Sequence, residues 1–354
     1  VNPLQFFERK SDMSKHSIRR PAIFAAMLMW LAVSAGAQPA IRNAKLRTEQ
    51  PTPTFSAKME ALTHEAGPLW VGYEVPSLHS AGRHSWGNCG LEYLEDGRGN
   101  TSETDAESSS PNTAYILLRV ADHAVGKIVA VSPECKVDAG GLPVVWLTGV
   151  NQEESVTYLE RIAEKEDKTA ENALMAIGMH QTQAATRALI RLALSQRALH
   201  FREKASFWLA NERGPEGFPA LQQLARDADP KFREKMTFHL TLVADPRGVD
   251  ELIRMAKEDS DSKVRSQAMF WLAQKAGVKA VSFLSAAAQN DPEVEVKKKA
   301  VFALSQLPHE EGVPQLIHVA ETNPDREVRK QAIFWLGQSG DPRALKYLEQ
   351  VLSR

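Results

Sequence analysis

One spacing constrains this chain more than any other feature: small and apolar residues recur about every 32 positions over its C-terminal half. Ala173, Ala205, Met236, Ala268, Ala300 and Ala332 form one series. Ile177, Leu209, Leu240, Leu272, Leu304 and Leu336 form a second, one helical turn further on. Leu189, Leu221, Leu252, Leu284, Leu316 and Leu348 form a third, with Leu in every copy. The step is 32 residues except for 31 between the second and third copies. A fixed period of this length is the mark of a solenoid. One unit cannot bury its own apolar stripe, so neighbours stack and share a core.

The last copy, 327–351, reads as two helices joined by a tight turn. In its first helix Val328, Ala332, Trp335 and Leu336 fall on one face, with the alanine where two axes must come close. In its second helix Leu345, Leu348 and Val351 face back. Turn chemistry agrees. Asp229-Pro230, Asp261, Asp291-Pro292 and Pro324-Asp325 precede first helices, while Asp245-Pro246 and Asp341-Pro342 precede second helices. Asp accepts from the free N–H groups of a helix start, and Pro suits the first turn. The expectation is a right-handed α-solenoid of six two-helix units over 165–354. An amphipathic helix at 154–164, with Val156, Leu159 and Ile162, opens the helical region 151–354.

The run D-P-x-V-R-x-x-A-x-x-x-L, followed by a second Leu-rich helix, resembles the HEAT-repeat family. The likeness is to its short bacterial variety, also found in phycobilisome-lyase-like proteins, and it covers a little over half the chain. The resemblance implies pairing from repeat to repeat between the turn Asp and a basic residue of the first helix. Arg202, Arg233, Arg265, Lys297 and Arg329 occupy that basic position, and the first unit has Ala170 instead. More loosely, Trp70-Val71-Gly72-Tyr73 and Cys135 through Gly149 are similar to an N-terminal β region of exported bacterial HEAT proteins.

The other half has a different character. Arg19 and Arg20 precede an apolar core, PAIFAAMLMWLAVSAGA, that ends in Ala35-Gly36-Ala37. This is the pattern of a secretory signal peptide cut between Ala37 and Gln38, with Met13 as the natural start and an upstream extension completing 1–37. Membrane contact is then transient, through the signal alone. The alternative is a retained anchor, since the run is about as long as the shortest spanning helices, roughly 17 residues. Export places the protein in the periplasm or outside the cell. There the only two cysteines, Cys89 and Cys135, are expected to form a disulfide rather than remain two buried thiols.

Residues 38–56, rich in Pro, Thr and charge, are expected to be a flexible linker. From 57 to 150 the pattern predicts a small, mostly antiparallel β domain. A short helix is expected at 57–66, with strands at 69–75, 89–94, 113–120, 125–131 and 144–147. The acidic, Ser-rich stretch 95–112 reads as a mobile loop.

No catalytic motif is present: there is no G-x-S-x-G, Walker, Rossmann or H-E-x-x-H run. A net charge of −1 lacks the basic excess that non-specific nucleic-acid binding needs. His79, His84 and Cys89 match no familiar zinc spacing and compete with the disulfide. The iron-dependent hydroxylases of the HEAT family repeat a His-Glu pair. Here His309-Glu310 stands alone in the array and His64-Glu65 lies outside it, so that site does not carry over and no metal or cofactor is expected.

Two ladders remain as candidate surfaces. Phe207, Phe238, Phe270, Phe302 and Phe334 point well away from the Ala/Leu stripe, with Met175 in the first copy. They are either a peptide-binding surface or packing between adjacent first helices, and ring exposure decides between the two. The basic series Arg202, Arg233, Arg265, Lys297 and Arg329 either attracts an acidic partner or pairs inside the solenoid. The function expected is a non-enzymatic scaffold that binds a protein or peptide. The alternative is an enzyme or enzyme accessory of the bilin-lyase or iron-hydroxylase kind, which rests on family analogy.

Overall fold

The structure is a computed structural model that describes residues 40–78, 91–95, 112–133, 135–165 and 167–353. The expected signal peptide, the interior of loop 95–112, and His79, His84 and Cys89 lie outside these residues.

Eight strands form two sheets among the described residues. They are β1 (Ile41–Arg42), β2 (Lys45–Glu49), β3 (Leu69–Pro76), β4 (Leu91–Tyr93), β5 (Thr113–Ala121), β6 (Ala124–Val131), β7 (Lys136–Asp138) and β8 (Pro143–Leu147). The larger sheet runs β2-β8-β3-β5-β6 and the smaller β1-β7-β4. The segment expected to be a flexible linker is therefore partly a sheet edge. Residues Lys45 to Glu49 pair in parallel with Pro143 to Leu147. Local pattern could not show this, because β2 is an edge strand dressed in charge. Its Arg47 pairs with Glu49 and Glu65, and Glu49 with Lys58. The sheet is also mixed rather than mostly antiparallel. Only β3–β5 and β5–β6 run antiparallel, because the chain crosses back after β6 to lay β8 beside β3 in parallel.

Both faces of the larger sheet are covered, which is why its central strands read as unbroken apolar runs. From β3 and β5, Leu69, Val71, Tyr73, Ile116 and Leu118 enter the core that continues into the helices. Trp70, Tyr115 and Leu117 point the other way, into a small second core with Val137, Val144, Trp146 and Cys135. At Gly72 a Cβ would stand 2.7 Å from the Trp146 ring, so the ring lies directly on the β3 backbone.

Thirteen α-helices accompany these strands among the described residues. The helix α1 (Phe55–Thr63) and α2 (Gln152–Ala163) lie between the sheet and the array. Six helix pairs follow: α3 (Lys168–Met179) with α4 (Gln183–Ala193); the two halves of α5 (Leu199–Leu224); α6 (Pro230–Leu242) with α7 (Pro246–Glu258); α8 (Ser262–Ala276) with α9 (Val281–Asn290); α10 (Val294–Ser305) with α11 (His309–Thr322); and α12 (Arg326–Ser339) with α13 (Pro342–Leu352). The chain is a repeat solenoid preceded by β sheets, as the three ladders require. In the second unit no turn separates the helices. They meet at a kink at Arg213 (φ −129°, ψ 20°), just before Pro215.

The sheet is joined to the array by a buried chain of hydrogen bonds. His180, which ends α3, holds the Ala176 carbonyl through Nδ1 at 2.7 Å. A carbonyl only accepts, so Nδ1 carries the proton and Nε2 accepts from the Ser155 hydroxyl at 2.9 Å. Ser155 Oγ then accepts from the Tyr73 hydroxyl at 2.8 Å. One such chain thus ties β3, α2 and α3.

All members of the Leu ladder are buried except Leu348, which is half-buried. The expectation that Leu345 and Val351 face a core is not met: they are 53% and 40% exposed. Their counterparts Val313 and Val319 are buried because another helix pair follows them. A further ladder, unread in the sequence, opens the second helices: Ala185, Gly217, Gly248, Ala280, Gly312 and Ala344, all buried. A Cβ on Gly248 or Gly312 would stand 2.6 or 2.4 Å from the carbonyl oxygen of Leu240 or Leu304. We expect Gly312→Val to destabilise by about 1–3 kcal/mol. Gly312→Ala should cost less, since Ala280 and Ala344 occupy the same place. Urea midpoints of the two variants check this, and a valine variant as stable as wild type would refute the close approach.

Candidate interaction surface

The phenylalanine ladder lies along the first helices of units two to six. None of the five rings is buried: Phe207, Phe238, Phe270 and Phe302 are half-buried and Phe334 is 53% exposed. Met175, in the first copy, is buried. The rings also touch one another. Phe207 stacks on Phe238 at 6.5 Å, and Phe270 on Phe302 at 6.3 Å with planes 1° apart. Both readings of the ladder are thus physically present, with ring packed on ring and one margin of each left in solvent.

The residue after four of the five Phe completes a ribbon, Ala303 being the exception. Phe238 meets Trp271 at 4.9 Å, and Phe302 meets Trp335 at 5.2 Å. Trp208, His239, Trp271 and Trp335 each lie edge-on to the preceding Phe, at 5.0–6.0 Å. Ring contacts therefore run without a break from α5 to α12. The Phe-Trp and Phe-His dipeptides at 207–208, 238–239, 270–271 and 334–335 were the available signal. Trp335, expected on the face of Val328, Ala332 and Leu336, is thus also a member of this ribbon. The Trp271 and Trp335 indole nitrogens face inward, buried and without a hydrogen-bond partner. His239 Nδ1 lies 3.0 Å from Ser206 Oγ, whose own proton goes to the Glu203 carbonyl, so the imidazole donates. Burial, with the charges of Lys235 and Lys204, pushes His239 down to about 3.

The basic ladder has a different place. Arg202 reaches Asp227 at 2.5 Å, Arg233 grips Asp259 with two bonds of 2.8 Å, and Arg265 grips Asp291 at 2.9 and 3.1 Å. The Asp291 carboxylate holds the Arg265 guanidinium above its usual range. None of these three acceptors is the residue that caps the start of the following helix. Asp227 and Asp259 stand two residues before the caps Asp229 and Asp261, and Asp291 takes the same place before Glu293. Each also accepts the backbone N–H two residues on. The other face of each guanidinium bonds carbonyls before its own helix: Asp227 and Ala228 for Arg233, Asp259 and Ser260 for Arg265. Each rung thus laces the loop before a unit to the loop after it. In the next copy Asn323 stands at the sequence position of the acceptor Asp, 26 residues after Lys297, and its side chain bonds Ala288 and Gln289, while Arg329 bonds the carbonyls of Asn323 and Pro324.

No group of three or more His, Cys, Asp or Glu among the described residues could hold a metal ion. His309, of the lone His-Glu pair in the array, has an exposed side chain 3.9 Å from Asp341. An open recess of about 540 Å³ lies on α9 and α11, among Ser282, Ser285, Gln289, Gln315 and His318. A smaller one of about 210 Å³ lies between α10, α11 and α12. Neither is lined by a carboxylate, Lys or Arg. No described helix is long and apolar enough to cross a membrane.

A family model for HEAT repeats matches residues 218–293 and 281–354. No curated protein matches the chain. Among solved structures, human deoxyhypusine hydroxylase in complex with glycerol is similar at 16% identity and a TM-score of 0.31, over 56% of this chain and 90% of that one. A phycocyanin lyase complex from a Nostoc species is similar at 18% identity and a TM-score of 0.32, over 56% of this chain and 80% of that one. A designed armadillo repeat protein in complex with the peptide (KR)4 is similar at 16% identity and a TM-score of 0.33, over 54% of this chain and 100% of that one.

Proposed function

We propose that this chain is an exported, non-enzymatic scaffold whose repeat array binds a protein or peptide along the aromatic ribbon. One observation carries the reading: five phenylalanines at one repeat position keep solvent-facing margins in every unit from the second to the last. Selection for packing alone would fill that position with whatever covers the neighbouring helix. A continuous apolar strip outside the core is the usual signature of an interaction surface. Export is supported by the n-region, apolar core and small-residue end of 17–37, with release before Gln38 into the periplasm or medium. A Cys89–Cys135 bridge suits that compartment. It would close a long loop beside the small second core.

The test is paired capture from an envelope fraction, with wild type and a Phe238→Gln/Phe302→Gln variant of unchanged circular dichroism. We expect a protein held by wild type and lost from the variant. The same proteins held by both would remove the ribbon as the binding surface.

A further inference from the structure

We infer that the ribbon's partner is an acidic polypeptide segment in extended conformation. The inference rests on the ribbon as the binding surface and adds the chemistry of what lies on it.

Charge is sorted between the two rows of helices. The ring-bearing helices α6, α8, α10 and α12 each carry three Lys or Arg and no more than one Glu, while α5, which holds both helices of its unit, carries three of each sign. Their partners carry less: α9 has no charge, α11 has three Glu without Lys or Arg, α7 balances three of each sign, and α13 has Arg343 and Lys346 against Glu349. In a chain of net charge −1, positive charge has thus gathered on the row that carries the aromatics. Arg233 and Arg265 are committed inside the array, but the lysines beside the rings are not. Lys204, Lys235 and Lys299 stand three residues before Phe207, Phe238 and Phe302, so each shares a helix face with its ring. All three are exposed. The Lys235–Glu203 pair, at 3.7 Å, is a weak surface pair and readily exchanged for a partner's carboxylate.

Ring geometry selects the conformation and the class of partner. Directly stacked rings are 6.3 and 6.5 Å apart. Alternate side chains of an extended chain are separated by about 6.7 Å, whereas same-face neighbours on a helix are about 5–6 Å apart. Because Phe270 and Phe302 lie parallel, their faces are turned to each other rather than to solvent. Nucleobases bind aromatic faces. The stacked pair therefore offers a ligand its ring edges, which are electropositive and favour carbonyl and carboxylate oxygens.

The test uses the full chain and labelled decapeptides, read by fluorescence anisotropy. The probes are alternating Glu-Leu, alternating Lys-Leu, a Glu/Leu peptide reordered to helical period, and oligothymidylate. Alternating Glu-Leu is expected to bind tightest. Its Kd should weaken about tenfold in a Lys204→Glu/Lys235→Glu/Lys299→Glu variant, and also in high salt. Equal or tighter binding of Lys-Leu, of the reordered peptide or of oligothymidylate would overturn the inference, as would a charge-reversed variant that binds unchanged. Binding that is lost with Phe238→Gln/Phe302→Gln but indifferent to charge would overturn the acidic partner alone and leave the ribbon standing. Binding indifferent to the ring substitutions would remove both.

Discussion

Leu252→Ala should lower the stability of the solenoid by about 2–5 kcal/mol. Leu348→Ala, on the same ladder, should lower it by only about 1 kcal/mol. Leu252 is fully buried in α7, one turn before the buried Met255 and Ala256 on the same helix face. Its counterparts Leu221 and Leu284 in the flanking units are equally buried. Removing its side chain therefore leaves a hole that close-packed neighbours on both sides cannot collapse to fill. Helix propensity does not confuse the comparison, because Leu and Ala are both strong helix formers. Leu348 is half-buried, so truncation there removes less contact and leaves a dent open to water. Urea unfolding followed by circular dichroism separates the two, and equal losses would mean that burial does not set the energetics of this ladder.

The array was legible because packing between repeated units leaves a mark at fixed spacing. Leu at every third-ladder position admits one explanation, and Asp-Pro at 229–230, 245–246 and 341–342 locates helix starts that the structure places there. The second unit escaped a clean reading because Pro215 and Pro219 lie within an α5 that continues through a kink instead of turning. The sheet was legible only where strands carry their own apolar content. Strand β2 has Leu46 as its single large apolar residue, and that is 42% exposed. It is a strand because β8 offers it an edge, a long-range fact without local signal. The parallel placement of β8 was hidden for the same reason.

The candidate surface was half legible. Five phenylalanines at one spacing could be read directly, and so could the question their exposure answers. That they stack in pairs, Phe207 on Phe238 and Phe270 on Phe302, was not readable, because ring-to-ring distance depends on the spacing between units rather than on any one helix. The basic ladder shows the opposite limit. Its positions were plain, but two of its acceptors, Asp227 and Asp259, were not. The neighbouring Asp229 and Asp261 were the aspartates a helix start calls for, and they are occupied with capping. Which of two aspartates a guanidinium reaches is decided by loop geometry, beyond what spacing carries.

Acid should weaken the fold in a window set by two buried histidines. Burial pushes His180 down to about 4 and His239 down to about 3, against 6.5 for an ordinary imidazole. The unfolded chain therefore takes up protons that the folded chain refuses. Their stabilising contribution is complete above about pH 6.5 and is lost as the pH falls toward the folded values. At one pH unit per 1.36 kcal/mol, each histidine accounts for a loss of about 2 kcal/mol by pH 5. The hydrogen bonds explain the refusal. Nε2 of His180 already accepts from Ser155, so a proton there would leave the buried Ser155 hydroxyl hydrogen without that acceptor. Protonated His239 would stand near Lys235 and Lys204. The carboxylates held low, Asp227 and Asp259 beside their arginines despite partial burial, titrate below this window and contribute a constant amount within it. The measurement is the urea midpoint at pH 7, 6 and 5 for wild type and for His180→Gln/His239→Gln. The variant is expected to start less stable at pH 7 and to lose markedly less on acidification. A slope identical to wild type between pH 7 and 5 would show that neither imidazole is held neutral by the fold.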